Sequence, residues 1–478
     1  MPKAQIAWLL LSFCGSPCAK YTIRTIPPRF CKHYAVARDH LIRQTLATLL
    51  NVSVHVLELP GVLPQIHLPA RSGGLGLHSA IVTGQAAYWG SWADALPSLY
   101  ERAPEFLEVL RPSMIRLALD STALPASSAL RNLHEAALLL QSEGFSDMPT
   151  WSELLRGRIP AVDSDGQAEP GEVRKGWQRE ATKYRDNRSF NAFFSTLGTA
   201  DKARLRSCAG PNAGRWLSAI PFERALKFEC PIFRVAVLRR LGLPVETLVD
   251  TCEGCGNNLD EMGYHRTTCM RSGRVQTRHK PLIQIWRRIF REAGINISNR
   301  NTERTLGSTH IRRSPNDLRR VDFLCPGVDG IFGGAPLFAD VTMVSPLHGN
   351  GTPMPFSATE DGAAVRRAAE TCRLRDYPDV EASPHAQLLS LGVETYGRWS
   401  SQCQVLIRQL ARSKAANAPA FLQKAVQHAF FARAWTLLSV CVQQLVCESI
   451  VRESGADLFN ASDSLSGLTF EDLLDFHR

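Results

Sequence analysis

Apolar positions recur at helical spacing through most of the first half of the chain. Between His33 and Leu50, the residues Tyr34, Val36, Leu41, Ile42, Leu46, Leu49 and Leu50 follow a period close to 3.6. Residues 1–58 therefore read as mostly helical, and Leu68–Ser79 as a Pro/Gly loop. Further helical stretches follow, broken by Pro97, Pro104, Pro112 and Pro125. The stretch Ala161–Gly176 is polar, with Asp163, Asp165, Glu169, Pro170 and Glu172, and reads as a linker. Helical spacing resumes over Trp177–Leu248. The pattern then changes class. Pro281–Ala293 is amphipathic, with Leu282, Ile285, Trp286, Ile289 and Phe290 on one side. Ile295–Ser298, Arg320–Cys325 and Leu337–Val344 predict strands, Ala358–Arg375 a helix, and Gln387–Thr395 another strand. Helices fill the rest as far as Glu453.

Composition narrows the class. The 478 residues, 44% hydrophobic and 21% charged, suit a globular chain of several domains. Near the start, the mainly apolar run Ile6–Phe13 is too short to span a bilayer, which needs about 20 residues. Helix rather than signal peptide is expected there, because no small-x-small cleavage site follows. Thirteen cysteines spread over a long chain predict reduced thiols and an intracellular setting. The formal charge of +10 points to polyanionic partners, DNA or RNA, rather than membrane or small molecules. That excess is concentrated. Arg266–Arg320 holds fourteen Arg or Lys against three acids. Arg266, Arg271, Arg274, Arg278, Lys280, Arg287, Arg312 and Arg313 are the candidate phosphate contacts.

Two clusters carry possible chemistry. Cys252, Cys255, His265 and Cys269 form C-x2-C-x9-H-x3-C, four ligands of the type that close a tetrahedral, structural Zn²⁺ site. Gly254 and Gly256 permit the tight turn at the first pair. The second cluster is Asp322 and Asp340, each in an apolar strand pattern where a carboxylate is costly unless paired or metal-bound. Two such residues on neighbouring strands could hold Mg²⁺ for attack on a phosphodiester, or each could simply pair with an Arg. Asp340 and Thr342 share one strand face. Glu360 and Asp361 are further carboxylates, although Ser357 and Glu360 have the spacing of a helix capping box. The loop Arg71–Leu77 lacks a phosphate-cradle signature and reads as a structural turn. Trp89, Trp92, Trp151, Trp177 and Trp216 read as core.

Taken together, these segments resemble the C-terminal part of non-LTR retrotransposon polyproteins, in which polymerase thumb, Cys/His finger and restriction-like endonuclease follow one another. Gly15–Tyr21 and Arg24–Pro28 resemble the start of the thumb. Leu68–Leu77, Ala86–Trp89 and Ser91–Asp94 are similar to the segment after it. Ala209–Leu217 resembles the connector before the finger. The resemblance implies an α+β multidomain protein with a largely helical N-terminal half. A small zinc finger, a PD-(D/E)xK-like α/β endonuclease domain and a helical C-terminal tail would follow. The implied limits are thumb 1–160, linker 161–176, connector 177–250, finger 251–270, nuclease 271–415 and tail 416–478. Asp322 and Asp340 match the family's two metal-binding acids. Thr342 stands at the in-line lysine position, and a displaced lysine would align near Arg373, which can support phosphate charge but not act as a base. No Tyr/Phe-x-Asp-Asp motif is found, so DNA synthesis by this chain alone is not expected. The resemblance implies a nuclear, Mg²⁺-dependent DNA endonuclease-like protein with structural Zn²⁺. The alternatives are a non-catalytic nucleic-acid-binding module and a helical scaffold stapled by its finger.

Overall fold

A computed structural model describes residues 3–155, 158, 176–245, 251–298 and 321–451. The described chain is mostly helical with one small three-stranded sheet, as an α+β fold requires. It forms two compact units. One comprises residues 10–68 and 76–196, the other residues 1–9, 69–75 and 197–478.

The first unit is helical. Pro28 opens the long helix Pro28–Leu50, where its missing N–H costs nothing, and Asn51 ends it in the left-handed region at φ 58°. From inside that helix, the buried Asp39 caps the start of its neighbour, Ala80–Arg102. Its carboxylate accepts from the Ser79 hydroxyl at 2.6 Å and the Ala80 N–H at 2.8 Å, and pairs with Arg38 at 3.0 Å. The core gathers around Trp89, which meets Phe145 and Trp177 edge-on at 5.7 and 6.3 Å. Trp92 and Trp151 pack on that cluster. Trp177 thereby draws the helix Trp177–Thr196 into this unit, although the sequence reading assigned it to the connector before the finger. The linker preceding it lies outside the described residues except at Gly176.

The second unit is built around the helix Gln423–Val451, which is buried along most of its length. It packs against Cys230–Leu241, Arg274–Glu292 and Ser401–Ala416. This helix falls in the predicted tail, yet it is the core of the unit, because its apolar residues run all around its circumference. Among the described residues it is the helix long and apolar enough to cross a membrane. Glu223, Glu292, Arg288 and Arg433 form a buried ion network, with contacts of 2.7 to 3.2 Å, that ties it to Arg274–Glu292. The helix Lys3–Leu10 buries Trp8, whose indole donates to the Leu217 carbonyl at 2.7 Å. Trp216 is also buried. Gly73, at φ 85°, admits Leu205 where a Cβ would sit 2.6 Å from its side chain, so the glycine-rich loop is a packing turn.

The sheet has the order β1 (Phe323–Cys325), β2 (Leu337–Val344), β3 (Gln387–Glu394). β1 and β2 pair antiparallel, and β2 and β3 pair parallel through a crossover containing the helix Ala363–Thr371. Two expectations change here. Ile295–Ser298 contributes one bridge, Ser298 to Leu324, rather than a strand. The crossover helix begins at Ala363 behind Gly362 (φ 69°), so the capping box at Ser357 is not used and Glu360 pairs with Arg366 instead.

Candidate metal centres

The Cys/His cluster closes. The ligand atoms of Cys252, Cys255, His265 and Cys269 all lie within 4.8 Å of one another. The Cys252 and Cys269 sulfurs are 3.8 Å apart, and Cys255 Sγ is 3.2 Å from His265 Nε2. Tetrahedral Zn²⁺ with bonds of about 2.3 Å sets two sulfurs about 3.8 Å apart, so the donor set fits that ion. Local structure explains the fit. The Cys252 carbonyl accepts from the Gly256 N–H at 2.8 Å, which turns the chain back on itself. Gly256 adopts φ 72°, and Gly254 lies so close to Arg271 and Ser272 that a Cβ would be 2.4 Å from the Ser272 nitrogen. Asp260 accepts from the Tyr264 and His265 N–H groups at 2.8 and 2.7 Å and so fixes the helical turn that carries His265. Burial opposes ionisation of the Cys252 thiol. The N–H groups of Gly254 and Cys255, together with His265, outweigh it and hold the thiol down at about 6.

The carboxylate centre draws on distant segments. Ladder pairs run from Cys325 to Leu337 as far as Phe323 to Ala339 and end there; the Asp322 N–H donates to the Ala339 carbonyl at 3.0 Å, so the register slips by one residue where Asp322 approaches Asp340. Asp322 Oδ2 accepts from the Val341 N–H at 2.7 Å and lies 3.1 Å from His279 Nε2. The same His279 nitrogen is 2.9 Å from the Val341 carbonyl oxygen. Arg287, two turns along the same helix, donates to the Asp322 carbonyl at 3.2 Å. Asp340 sits in the middle strand opposite Ser390 of β3. Burial, reinforced by the Asp322 charge, pushes its carboxyl up to about 7, while His279 pulls the other way. His279 is raised from its ordinary value, first by its hydrogen bond to Asp322 and against its own burial. Two carboxylates, a carbonyl and an imidazole are donors suited to a divalent cation. Among the described residues, however, only the Cys/His group already has three side-chain donors within 4.8 Å.

Other candidate residues are engaged elsewhere. Arg373 pairs with Glu381 at 3.8 Å on a half-exposed turn. Glu360 pairs with Arg366, and Asp361 with Arg206 and Arg398 at 2.5 and 3.3 Å. Asp322 pairs with a histidine, not with an Arg side chain, among the described residues. The cationic stretch is the largest departure. Arg266, Arg274 and Arg278 are buried. Their guanidinium groups donate to the carbonyls of Ile450, Ser449 and Thr267 at 2.8, 3.1 and 2.6 Å. Arg266 and Arg274 hold the finger and its following helix to the Gln423–Val451 helix, Arg278 holds that following helix to the finger, and the three are turned away from solvent. Arg271 and Lys280 are exposed, and Arg287 is half-buried. Arg312 and Arg313 lie outside the described residues.

The sequence reading passed over His279, Cys372 and Asp376. Cys372 and Asp376 come against Asp340 from the turn after the crossover helix. Only the i to i+8 spacing of His279 and Arg287 on one helix face hinted that both address the same strand. It also missed an exposed cationic stretch in the helical unit, where Lys20, Arg24, Arg29 and Lys32 are solvent-facing and Tyr21, Phe30 and Tyr34 are 77%, 55% and 41% exposed. Compared with known proteins, the chain matches no protein-family model and no curated protein.

Proposed function

We propose that this is a retrotransposon-derived nucleic-acid-binding protein whose sheet-bearing unit is a DNA endonuclease-like domain using a divalent cation. One observation carries the reading: the charge of Asp322, just before β1, acts on the half-buried Asp340 of β2, whose carboxyl is pushed up to about 7, where a nearby cation would favour its ionised form. Mg²⁺, when bound, would polarise a phosphoryl oxygen and lower the pKa of a water. The chain's own residues do the rest. The Val341 N–H and His279 orient the Asp322 carboxylate, and Asp340 supplies the second oxygen donor from the central strand. Nucleic acid would be held by exposed cations interleaved with exposed rings, as around Lys20, Tyr21, Arg24, Phe30 and Lys32, and by Arg271 and Lys280 beside the finger. The Cys252, Cys255, His265, Cys269 site would hold structural Zn²⁺.

A second reading, a binding module without catalysis, is favoured by a different observation. Thr342 offers no charge at the position of the expected lysine, and Arg373 is occupied by Glu381. A supercoiled-plasmid nicking assay with Mg²⁺ separates the two. Cutting by the wild type that is lost in Asp340→Ala supports hydrolysis, and equal cutting by both removes it. Binding that weakens steeply with salt, with no cutting under Mg²⁺ or Mn²⁺, selects the module.

A further inference from the structure

We propose that the cleft enclosed by the helices Pro28–Leu50, Ala80–Arg102 and Ala129–Ser142 binds one unpaired nucleotide, with the base inside and the phosphate at the mouth. This rests on the nucleic-acid-binding reading above and adds to it a seat and a ligand class that do not depend on the carboxylate centre. The cleft lies within the helical unit and measures about 360 Å³. Sites for small ligands measure roughly 300–1,000 Å³, so this one has room for a single nucleotide.

Three independent observations point to a ligand. The first is a glycine. The helix Ala80–Arg102 has two glycines in its interior, where glycine is unfavourable. Gly90 is required by packing, because a Cβ there would stand 2.4 Å from the Gln178 Cα. Gly84 is buried as well, yet a Cβ there would meet nothing within 4 Å. No neighbour requires Gly84, and its missing side chain leaves open space in the cleft wall. The second is an acceptor. Asn132 lines the cleft and is 3% exposed. Its Nδ2 donates to the Ala126 and Ser128 carbonyls at 2.9 and 2.8 Å, which fixes the orientation of the amide. Its Oδ1 accepts no hydrogen bond among the described residues, and a buried carbonyl is costly until a donor reaches it. The third is charge. Arg29 and Lys32, one helical turn apart, are exposed at the mouth and form no ion pair among the described residues. Glu135, an acid of the lining, is already paired with Arg131 at 2.9 Å.

These features specify the ligand part by part. The cationic mouth suits a phosphate, which Arg29 can grip with a charge-assisted fork. The methyl groups of Ala35 and Ala80 and the side chain of Ile81 offer an apolar lining to a planar ring. Asn132 Oδ1 needs an N–H donor at the edge of that ring, such as the exocyclic amino group of adenine. A base within a duplex has its edge paired and both faces stacked, so the occupant is unpaired, either free or in a single strand.

The test uses the full chain. Titration calorimetry follows AMP, adenosine, UMP and inorganic phosphate, and fluorescence anisotropy follows a single-stranded deoxyadenosine decamer. AMP should bind about ten-fold tighter than adenosine, for want of the phosphate contacts, and about five-fold or more tighter than UMP, with no measurable binding of phosphate alone. Gly84→Met fills the open space and favours the helix, so it should keep the wild-type melting temperature or raise it while abolishing AMP binding. The exposed double variant Arg29→Ala, Lys32→Ala should lower AMP to the affinity of adenosine. A decamer that binds tighter than AMP and weakens in Gly84→Met would make a single strand the source of the nucleotide, whereas AMP bound as tightly as the decamer would make it the free nucleotide. AMP bound equally well by wild type and Gly84→Met, or no better than adenosine by the wild type, would overturn the proposal. A decamer bound equally by wild type and Gly84→Met, with no AMP binding, would overturn the cleft and leave the nucleic-acid-binding reading standing. Wild type that binds neither would overturn both. The comparison of AMP with adenosine is read on unmodified protein, so the result does not hinge on the stability of any variant.

Discussion

The two candidate metal centres are assembled in opposite ways. The Cys/His site takes all its ligands from the eighteen residues Cys252–Cys269, and its geometry follows from one turn and one short helix. The carboxylate site takes His279 from a helix, Asp322 from the approach to β1, and Asp340 and Val341 from β2. His279 stands 43 residues before Asp322, so the helix and the strand pair meet only through the fold. Local sites survive changes elsewhere in the fold, whereas a long-range site exists only as long as helix and sheet hold their places. The same contrast explains the cationic residues. Arg266, Arg274 and Arg278 spend their donors on carbonyls of the Gln423–Val451 helix and nearby backbone, contacts that arise only in the folded unit.

The largest expected effect is on the local site. Cys252→Ser should remove stoichiometric zinc and unfold the segment around residues 251–269, because structural zinc binding in such sites amounts to about 10 kcal/mol or more. Elemental analysis with hydrogen exchange would detect it. Full zinc retention by this variant would show that the cluster is not the site. Chelation should have the same local effect on the wild type.

A smaller effect should break the long-range site alone. Glu292→Ala leaves Arg288 and Arg433 sharing the single carboxylate of Glu223, so a loss of about 3 kcal/mol is expected in denaturant unfolding. Zinc content should stay unchanged while Mg²⁺ binding at the carboxylate centre falls. Parallel loss of both metals would contradict the proposed independence of the two centres.

Next comes a pH effect at Asp340. Its carboxyl is raised above the ordinary value to about 7, so the folded state binds the proton more tightly than the unfolded state does. Without divalent cation, stability should therefore fall as pH rises from about 4 to about 7 and then level off. Asp340→Asn should remove that slope and raise stability at pH 8 by an amount on the order of 3 kcal/mol, with little change at pH 4. Thermal melts in a chelator at the two pH values would measure it, and a variant equally stabilised at both would point to another cause.

The smallest effect concerns Gly254. A Cβ there meets the Ser272 nitrogen at 2.4 Å, so Gly254→Ala should shift the first cysteine pair and weaken zinc retention by about 1–3 kcal/mol. Competition against a chromogenic chelator would read the change. Unaltered retention would mean that the turn adapts, and that even the local site tolerates backbone movement.

Much of the fold was legible from spacing. The helix Pro28–Leu50 and the strands Leu337–Val344 and Gln387–Glu394 fall where apolar periodicity predicts them, because burial of one face imposes that period, and the helix predicted from Pro281 is there but starts two turns earlier, at Arg274. The four finger ligands were legible for the same local reason. Strand β1 ends at Cys325 as its pattern predicts but begins late, at Phe323, because the Asp322 N–H bonds to the Ala339 carbonyl one residue out of the ladder's register. His279 was not legible, because a histidine on the polar side of a helix has no distinguishing pattern until a strand is brought against it.

By itself, then, the sequence determined the helices, the strands, the cysteine–histidine ligand set and the two aspartates, all of which depend on residue type and near-neighbour spacing. Tertiary structure alone decided three further matters. It chose which arginines point inward, it put Gln423–Val451 at the centre of its unit, and it brought His279 onto Asp322. Each depends on contacts between segments far apart in the chain, whose energies come from packing and desolvation and leave no periodic trace in the sequence.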